Sequence, residues 1–357
     1  MRRAGVVDVA GALLLTAVLG GCSTTVPGTE HAANPAAPRA AAPKPTAVPG
    51  QLVLTFAGDV HFAERTATLL DDAGHAFGPV TGVFDGSDLT VVNLETAVTT
   101  GGTAEQKKYL FRAPPIAYDA VRAAGVDAVT LANNHALDYG RPALAESIAH
   151  ARAAGVPVFG AGPDADAAWA PWFTEVNQTR LAFIGISQVH ELEASWVATA
   201  SRPGVAHARD PERSAQAVRA AKQHADFVVV FMHWGREGSQ CPTAEMRAFA
   251  KLLADAGADL IVGTHAHLLL GDGWLDDTFV AYGLGNFLWW WNDAYSNDTG
   301  VLRITLRDKK IAQTELVPAL ITRDTGQPLP ANGPQASRIT TKYAALRDCT
   351  GLAPNSS

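Results

Sequence analysis

The chain has 357 residues, of which 47% are hydrophobic and 18% are charged, and its formal net charge is −7. This length and composition suit one large globular domain or two modest ones. The acidic charge and the lack of a Lys/Arg cluster argue against nucleic acid as a partner. They do not exclude a phosphate ester, because bound divalent cations would set the local field.

The N-terminal segment has the features of an export signal. Met1–Arg3 is basic, and residues 9–19 form an apolar run that is too short to span a bilayer comfortably. The run ends in Leu19-Gly20-Gly21-Cys22, which resembles a bacterial lipobox, in which the cysteine is lipidated after cleavage. An ordinary signal peptide with an incidental cysteine is the alternative. We expect residues 1–22 to be a lipoprotein signal with Cys22 lipidated, and the mature protein to be extracytoplasmic and anchored to the cell membrane by lipid.

The rest of the chain divides by composition. Residues 23–50 are rich in Ala and Pro and predict a disordered tether, because they offer too little apolar surface to fold. Residues 51–320 predict the folded domain, and residues 321–357 a C-terminal extension. Cys241 and Cys349 form a disulfide in an oxidising compartment or remain two free thiols, since sequence does not fix their separation.

From about residue 51 the chain alternates apolar runs with amphipathic segments. Five apolar runs predict buried strands, at residues 52–56, 89–92, 128–131, 227–231 and 260–262. Helices are predicted at residues 115–124, 141–154, 211–225 and 243–256, with Gly155 and Gly257 at two of their ends and a short strand at residues 156–159. Closely spaced strands at residues 278–284, 300–306 and 311–318 suggest an antiparallel meander. The mixture predicts an α/β fold with two packed sheets flanked by helices.

Metal-ligand residue types follow each of the five strands. They are Asp59 and His61, Asn93 and Glu95, Asn133-Asn134-His135, His233, and His265 with His267. Residues beyond the carboxyl ends of strands in an open α/β sheet converge on one crevice. Any one histidine could be structural, but the series predicts one polynuclear metal site. Its nitrogen and oxygen donors, without thiolate, favour zinc, manganese or iron over calcium or copper.

The ordered motifs resemble those of a known family. They are Gly58-Asp59-Val60-His61, Asn93-Leu94-Glu95, Asn133-Asn134-His135 with Asp138-Tyr139-Gly140, His233-Trp234-Gly235 with Glu237, Gly263-Thr264-His265-Ala266-His267, and Gly285-Asn286-Phe287. Over residues 51–320 the chain resembles the CapA family of poly-γ-glutamate capsule biosynthesis proteins, within the calcineurin-like metallophosphoesterase superfamily. The resemblance implies a sandwich of two β-sheets flanked by α-helices, with a dinuclear metal centre at the strand ends.

The resemblance also implies residue roles. One metal would be held by Asp59, His61 and His267, and the other by Asn134, His233 and His265, with Glu95 as the bridge. His135 would contact the phosphate and protonate the leaving group as the catalytic acid. The bridging residue is usually Asp in the wider superfamily, so the longer Glu95 could change the metal spacing, the metal preference or the activity.

Residues around this site are open to two interpretations. Arg112 and Glu237 are candidate substrate-binding residues, and each could instead be a solvated surface residue. The aromatic triplet Trp289-Trp290-Trp291 favours packing at a loop over a substrate platform.

Two functions compete. Two divalent cations can activate water and clamp a phosphoryl group, which predicts a metal-dependent hydrolase of a phosphate ester. The family resemblance instead implies a polymer assembly protein, in which the same site binds metal and an anionic polymer without turnover, within a polymer synthase or export complex. A pure adhesion lipoprotein would leave the ligand series unexplained.

Overall fold

The structure is a computed structural model and describes residues 50–191 and 193–356. The predicted signal segment, the lipidated Cys22 and all but the last residue of the predicted tether lie outside the described residues. Within the described part, no helix has both the length and the apolar character needed to cross a membrane.

The described strands belong to two large sheets and two small ones. In chain order they are β1 Gln51–Val60, β2 Leu89–Leu94, β3 Ala97–Val98, β4 Arg112–Ala113, β5 Ala128–Thr130, β6 Val158–Phe159, β7 Ala161–Gly162, β8 Trp172–Val176, β9 Thr179–Ser187, β10 Gly204–Val205, β11 Phe227–Trp234, β12 Leu260–His265, β13 Leu269–Leu275, β14 Thr278–Leu284, β15 Asn286–Leu288, β16 Asp298–Arg307, β17 Lys310–Ile321 and β18 Pro328–Pro330.

The described helices lie mainly between these strands in the chain. They are α1 Thr81–Phe84, α2 Ile116–Ala123, α3 Gly140–Ala154, α4 Ala165–Trp169, α5 Glu193–Trp196, α6 Pro211–Lys222, α7 Ala244–Ala256 and α8 Gly333–Ala345, with 3-10 turns at Glu64–His75, Gly78–Val80 and Leu346–Cys349. The helix ends follow the sequence signals. Thr243 caps α7 by accepting the Met246 N–H at 3.1 Å, and Gly257 ends it in the left-handed conformation, with φ of 106°.

The first sheet has the order β18-β17-β16-β1-β2-β5-β6, with β15 also beside β1. Strands β1, β2, β5 and β6 are parallel, and β16 to β18 are added in antiparallel pairs. The second sheet has the order β13-β14-β12-β11-β9-β8, with a parallel centre and antiparallel edges. The parallel centres bring the carboxyl ends of their strands to one edge of each sheet.

The two sheets pack face to face around a shared apolar core. Phe56 of β1 lies in this core with Phe183 of β9 and Phe231 of β11, and all three are fully buried. Helices α2 and α3 cover the outer face of the first sheet, while α6 and α7 cover that of the second. The predicted α/β sandwich of two sheets flanked by helices is therefore confirmed.

The predicted meander at residues 278–284, 300–306 and 311–318 is wrong for its first member. Strand β14 belongs to the second sheet, and only β16 and β17 form a hairpin in the first. Between β14 and β16 the chain passes from the second sheet to the first at Gly285. A Cβ atom on Gly58 would lie 1.9 Å from the Gly285 carbonyl oxygen, so this crossing requires glycine at position 58.

The residues after 320 pack on the same core. Ile339 and Tyr343 of α8 are buried among residues of the two sheets. Cys241 and Cys349 form a disulfide with Cα atoms 5.7 Å apart, which ties the loop before α7 to the turn after α8. Of the two alternatives left open by the sequence, the disulfide is the one that the structure contains.

Candidate metal centre

The strand ends bring two groups of potential ligands together. Donor atoms of Asp59, Glu95 and His233 lie within 4.8 Å of one another, and so do those of Glu95, His265 and His267. Glu95 belongs to both groups, which is the position predicted for a bridging residue. Two candidate metal-holding groups thus share one carboxylate at the edge where both sheets end their parallel strands.

Glu95 has the chemical environment of a metal ligand. Its side chain is fully buried, and neither carboxylate oxygen has a hydrogen-bond partner. Burial, with the nearby Asp59 carboxylate, raises its pKa well above the ordinary value. A buried carboxylate without a partner is costly unless it is paired or coordinates a metal. The residues present therefore fit divalent cations.

His233 is held as a neutral imidazole. Its Nε2 lies 2.7 Å from the Asn134 Oδ1 atom and 3.3 Å from the Glu95 Oε1 atom, and its Nδ1 lies 3.0 Å from the Thr264 hydroxyl. Burial lowers the pKa of His233 to about 3, so the ring is uncharged at neutral pH. Neutral imidazole is the form that binds a cation.

The loop after β12 turns two histidine rings toward Asp59. Both His265 and His267 have left-handed backbones, with φ of 84° and 57°. The Asp59 Oδ2 atom accepts the His265 N–H at 3.1 Å and lies 3.4 Å from the His267 Nδ1 atom. The Nδ1 atoms of both rings are buried without a hydrogen-bond partner. Such strained backbone persists where the surrounding structure requires it, often at functional sites.

His61 lies beside the centre with its ring turned to the backbone. The N–H groups of Ala63 and Trp290 donate to its Nδ1 and Nε2 atoms, at 3.1 and 3.2 Å. Its ring stacks on that of Phe111, with centroids 4.4 Å apart. His61 is in neither group of clustered donors, so its role as a ligand stays a prediction.

The structure separates the two predicted substrate contacts. Glu237 is exposed at the mouth of the site, with its Oε1 atom 4.0 Å from the His267 Nε2 atom. Arg112 is exposed on β4, and its guanidinium lies 4.3 Å over the Tyr139 ring. Arg112 is not among the residues that line the cleft at the site.

His135 is oriented by a buried carboxylate. Its Nδ1 atom lies 2.6 Å from the Asp138 Oδ2 atom, and its Nε2 atom lies 3.8 Å from Glu95 Oε1. Burial raises the pKa of Asp138 to about 7, although the charge of Lys107 opposes this rise. The Asp138 contact fixes which ring nitrogen faces the site, which is the arrangement of a histidine that transfers protons.

Lys107 supports this pair and was not found from the sequence. Its side chain is buried, and its Nζ atom lies 2.7 Å from the Asp138 Oδ1 atom and 3.3 Å from the Glu191 Oε2 atom. It also donates to the Asn134 carbonyl oxygen. Lys107 comes from a polar loop without a recognisable motif, so the sequence carries no signal for it.

Two asparagines of the quoted motifs organise the ligands. Asn93 donates to the Asp59 Oδ1 atom at 2.7 Å and accepts from Asn133 at 3.0 Å. Asn133 in turn accepts the His135 N–H at 3.0 Å. This chain of hydrogen bonds joins the ends of β1, β2 and β5. The sequence placed both asparagines at the site without giving them this role.

The site opens into a cleft of about 290 Å³ with aromatic walls. Trp289 is buried, and its ring centroid lies 4.3 Å from that of His61 and 4.5 Å from that of His267. Trp291 of the same triplet is exposed at the cleft. All three tryptophans line the cleft, the first packed among the histidine rings and the third exposed.

Residues 53–289 match the model of the family described as bacterial capsule synthesis protein PGA_cap. The chain belongs to this family. It is 29% identical over 283 residues to the PGA biosynthesis protein CapA of Bacillus subtilis, covering 78% of this chain and 74% of that one. It is 34% identical over 190 residues to a probable polyglutamine synthesis accessory protein of Mycobacterium tuberculosis, covering 51% of this chain and 50% of that one.

Among solved structures, the chain is similar to one titled as a novel phosphatase of Mycoplasma pneumoniae, with a TM-score of 0.49 and 14% identity. That match covers 76% of this chain and 95% of the phosphatase. The family assignment rests on the family model. The sandwich of two β-sheets flanked by α-helices that the sequence predicted is confirmed by the sheet topology.

Proposed function

We propose that this member of the capsule synthesis family is a metal-dependent hydrolase of a phosphate ester, acting in the assembly of a capsule polymer of the poly-γ-glutamate type. The observation that carries the proposal is the fully buried Glu95 carboxylate, whose two oxygens have no hydrogen-bond partner. The rings of His233, His265 and His267 surround it at liganding distance. A scaffold without cations would leave this cluster of buried polar atoms without compensation.

Two divalent cations fit the donor set, with manganese, zinc and iron as the candidates. In the division that the family resemblance implies, Asp59 and His267 would hold one, and Asn134, His233 and His265 the other, with Glu95 shared. The donor distances instead group Asp59 with His233 and His265 with His267, again with Glu95 shared. His61 joins the first set when its Nε2 exchanges the Trp290 N–H for a cation. Cations bound there would supply Lewis-acid activation of a phosphoryl group and of the attacking water.

The protein's own groups would handle the leaving group's proton. His135 Nε2 faces the centre, and its Nδ1 atom pairs with the Asp138 carboxyl. Burial lowers the pKa of His135 well below its ordinary value, so the ring carries a single proton. With that proton at Nε2, His135 would give it to the departing oxygen. Lys107 holds Asp138 through its Nζ atom, 2.7 Å from Oδ1. The ring of Phe111 stacks on that of His135, with centroids 4.0 Å apart.

We further propose an extracytoplasmic location with a lipid anchor at Cys22. The lipobox-like sequence supports it, and so does the Cys241–Cys349 disulfide, because structural disulfides persist in oxidising compartments. At the membrane the chain would work beside a polymer synthase or exporter.

The second candidate is a polymer-binding or assembly protein that uses the same metals without turnover. Two similar proteins favour it, because one is a PGA biosynthesis protein and the other a probable polyglutamine synthesis accessory protein.

Metal content and turnover of variants test the proposal on the full chain. After incubation with manganese or zinc we expect about two ions per chain by elemental analysis. His135→Ala should keep the metal and lose about a hundredfold in turnover of the ester that the wild type hydrolyses best. His233→Ala should lose metal and turnover together. His224→Ala, at an exposed histidine distant from the site, is the matched control.

Two results would count against the hydrolase. Less than half an ion per chain would contradict the dinuclear centre. A metal-replete wild type that turns over no phosphate ester, while Glu95→Ala still abolishes polymer production in cells, would establish the second candidate in its place.

A further inference from the structure

The cleft at the metal centre gathers exposed aromatic side chains. Six large apolar side chains are exposed among the described residues, and three of them line this cleft, namely Tyr109, Trp291 and Tyr295. They are 39%, 47% and 55% exposed. Single exposed apolar residues are ordinary on a protein surface, but their concentration at one opening marks a ligand surface.

The aromatic walls meet at steep angles. The rings of Trp290 and Trp291 are 84° apart with centroids at 5.0 Å, and those of Tyr109 and Trp290 are 54° apart at 6.0 Å. A flat nucleobase is held best between parallel ring faces, and these two pairs of neighbouring rings supply no such slot. A puckered ring with C–H groups on both faces can contact walls that diverge in this way.

The charges around these rings balance. Glu237 and Asp293 line the cleft, and their carboxylates would repel a polyanion such as a γ-glutamyl chain. The Nζ atom of Lys108 lies 4.7 Å from the Tyr109 ring centroid, and that of Lys342 lies 5.2 Å from the Tyr295 centroid. These lysines already occupy ring faces that an organic cation would use. The cleft therefore favours a neutral group.

A buried polar atom without a protein partner lies at the inner end of the cleft. Asn286 is 1% exposed, lines the cleft, and its Oδ1 atom accepts no hydrogen bond. It pairs in register with Asp59 across β1 and β15, so it stands beside the metal centre. An amide oxygen in this position can accept a hydrogen bond from a hydroxyl group of a ligand.

We propose that the organic part of the substrate is a neutral, hydroxyl-bearing ring, so that the site hydrolyses a sugar phosphate ester. This inference rests on the proposed phosphoesterase function. The phosphate would lie at the metal centre, the sugar ring against Trp291 and Tyr295, and a hydroxyl at Asn286. Hydrolysis forms a P–O bond from water and breaks the P–O bond to the sugar. The sugar oxygen takes the proton, which gives a free sugar hydroxyl and inorganic phosphate.

The test compares four esters with the manganese-loaded full chain. Glucose 6-phosphate presents the neutral ring, glycerol 3-phosphate has no ring, AMP presents a flat base, and phosphocholine presents a cation. We expect kcat/KM for the sugar ester to exceed that for each of the other three by about tenfold or more. Trp291→Ala and Tyr295→Leu should each reduce the sugar-to-glycerol ratio by about tenfold, mainly through KM, as expected for a lost ring contact.

Phe173→Ala removes an exposed aromatic side chain of β8 that lies away from the cleft, and it should leave the ratio unchanged. A second readout does not depend on turnover. Intrinsic tryptophan fluorescence should change on titration with glucose 6-phosphate, and the apparent affinity should fall in Trp291→Ala and Tyr295→Leu.

The outcomes separate this inference from the proposed function. Preference for AMP or phosphocholine, or an unchanged ratio in both cleft variants, overturns the sugar assignment while leaving the phosphoesterase intact. If none of the four esters is hydrolysed, the proposed function loses its support from these substrates. The fluorescence titration then shows whether the cleft binds a sugar ring. Saturable binding that depends on Trp291 then supports the sugar assignment, and absent or variant-independent binding overturns it.

Discussion

Replacing Glu95 with glutamine should raise the stability of the metal-free protein. Most changes at a buried polar residue destabilise a fold because they break hydrogen bonds. The Glu95 carboxylate is fully buried, but neither of its oxygens has a hydrogen-bond partner to lose. Burial raises the pKa of Asp59, but the His267 ring and the Asn93 amide beside it outweigh burial and keep that pKa below its ordinary value. Without cations, ionised Glu95 therefore faces a second negative charge in a buried site.

The distance sets the size of the effect. Ligand atoms of Asp59 and Glu95 lie within 4.8 Å of each other. At an effective dielectric constant of about 20, two unit charges at that distance repel by roughly 3.5 kcal/mol. Protonation of Glu95 relieves part of this energy. We therefore expect Glu95→Gln to stabilise the metal-free chain by about 1–3 kcal/mol, which corresponds to roughly 2–6 °C in Tm.

The effect should grow with pH. The pKa of Glu95 in the folded chain is raised well above its ordinary value of 4.5, chiefly by burial. The wild type without metal therefore loses stability as pH rises from the unfolded pKa toward the folded one, because folding then opposes ionisation. Glutamine does not titrate, so the gap between variant and wild type should widen over the same range.

The stability difference between Glu95→Gln and the wild type is measured by thermal unfolding of the full chain. One set of measurements contains a chelator and the other contains saturating manganese. Manganese should raise the Tm of the wild type and should raise that of Glu95→Gln much less, because the shared ligand is lost. Glu175→Gln, at an exposed glutamate of β8, is the control and should change neither measurement. A Glu95→Gln variant that is less stable than wild type without metal, or that keeps the full manganese response, would refute the reasoning.

Two further predictions concern the contact between Asp298 and helix α8 and the lipidation of Cys22. Burial raises the pKa of Asp298, but hydrogen bonds from Arg338 and Lys342 outweigh it and keep the pKa below 3.8. Asp298→Asn should thus lose about 1.5–3 kcal/mol of unfolding free energy at pH 7, and less below about pH 4, in urea unfolding. An equal loss at pH 3 and pH 7 would contradict this. In membrane fractionation, the Cys22→Ala variant should no longer be found in the membrane fraction. An unchanged distribution between the membrane and soluble fractions would favour an ordinary signal peptide.

The sequence predicted the main elements because their signals are local. Apolar runs of strand length, glycines after amphipathic segments, and a capping threonine each act within a few residues, and the helix ends at Gly155 and Gly257 follow them. The strand β14 was also recognised, but its sheet was not. Hairpin-like spacing is shared by strands that pair and by strands that diverge, and the crossing at Gly285 depends on a contact with Gly58 that is distant in the chain.

The candidate site, like the fold, has features that the sequence motifs predicted and features that only tertiary contacts decided. Motifs at the strand ends brought Asp59 and Glu95 together with His233, since the parallel sheet forces such residues to one edge. The direction of each ring was not available from the motifs. His61 faces the backbone of Trp290, and this contact depends on how the loop after β15 folds over the site.

By itself, the sequence determined that polar residues of metal-ligand type would gather at one edge of an α/β sandwich, because strand periodicity fixes which residues end together. Only the tertiary structure decided what surrounds that edge. The buried Lys107 beside Asp138 and the aromatic cleft at Trp291 come from loops whose paths are set by packing against distant strands. Contacts between segments far apart in the chain leave no periodic signal, so they become visible only in the folded molecule.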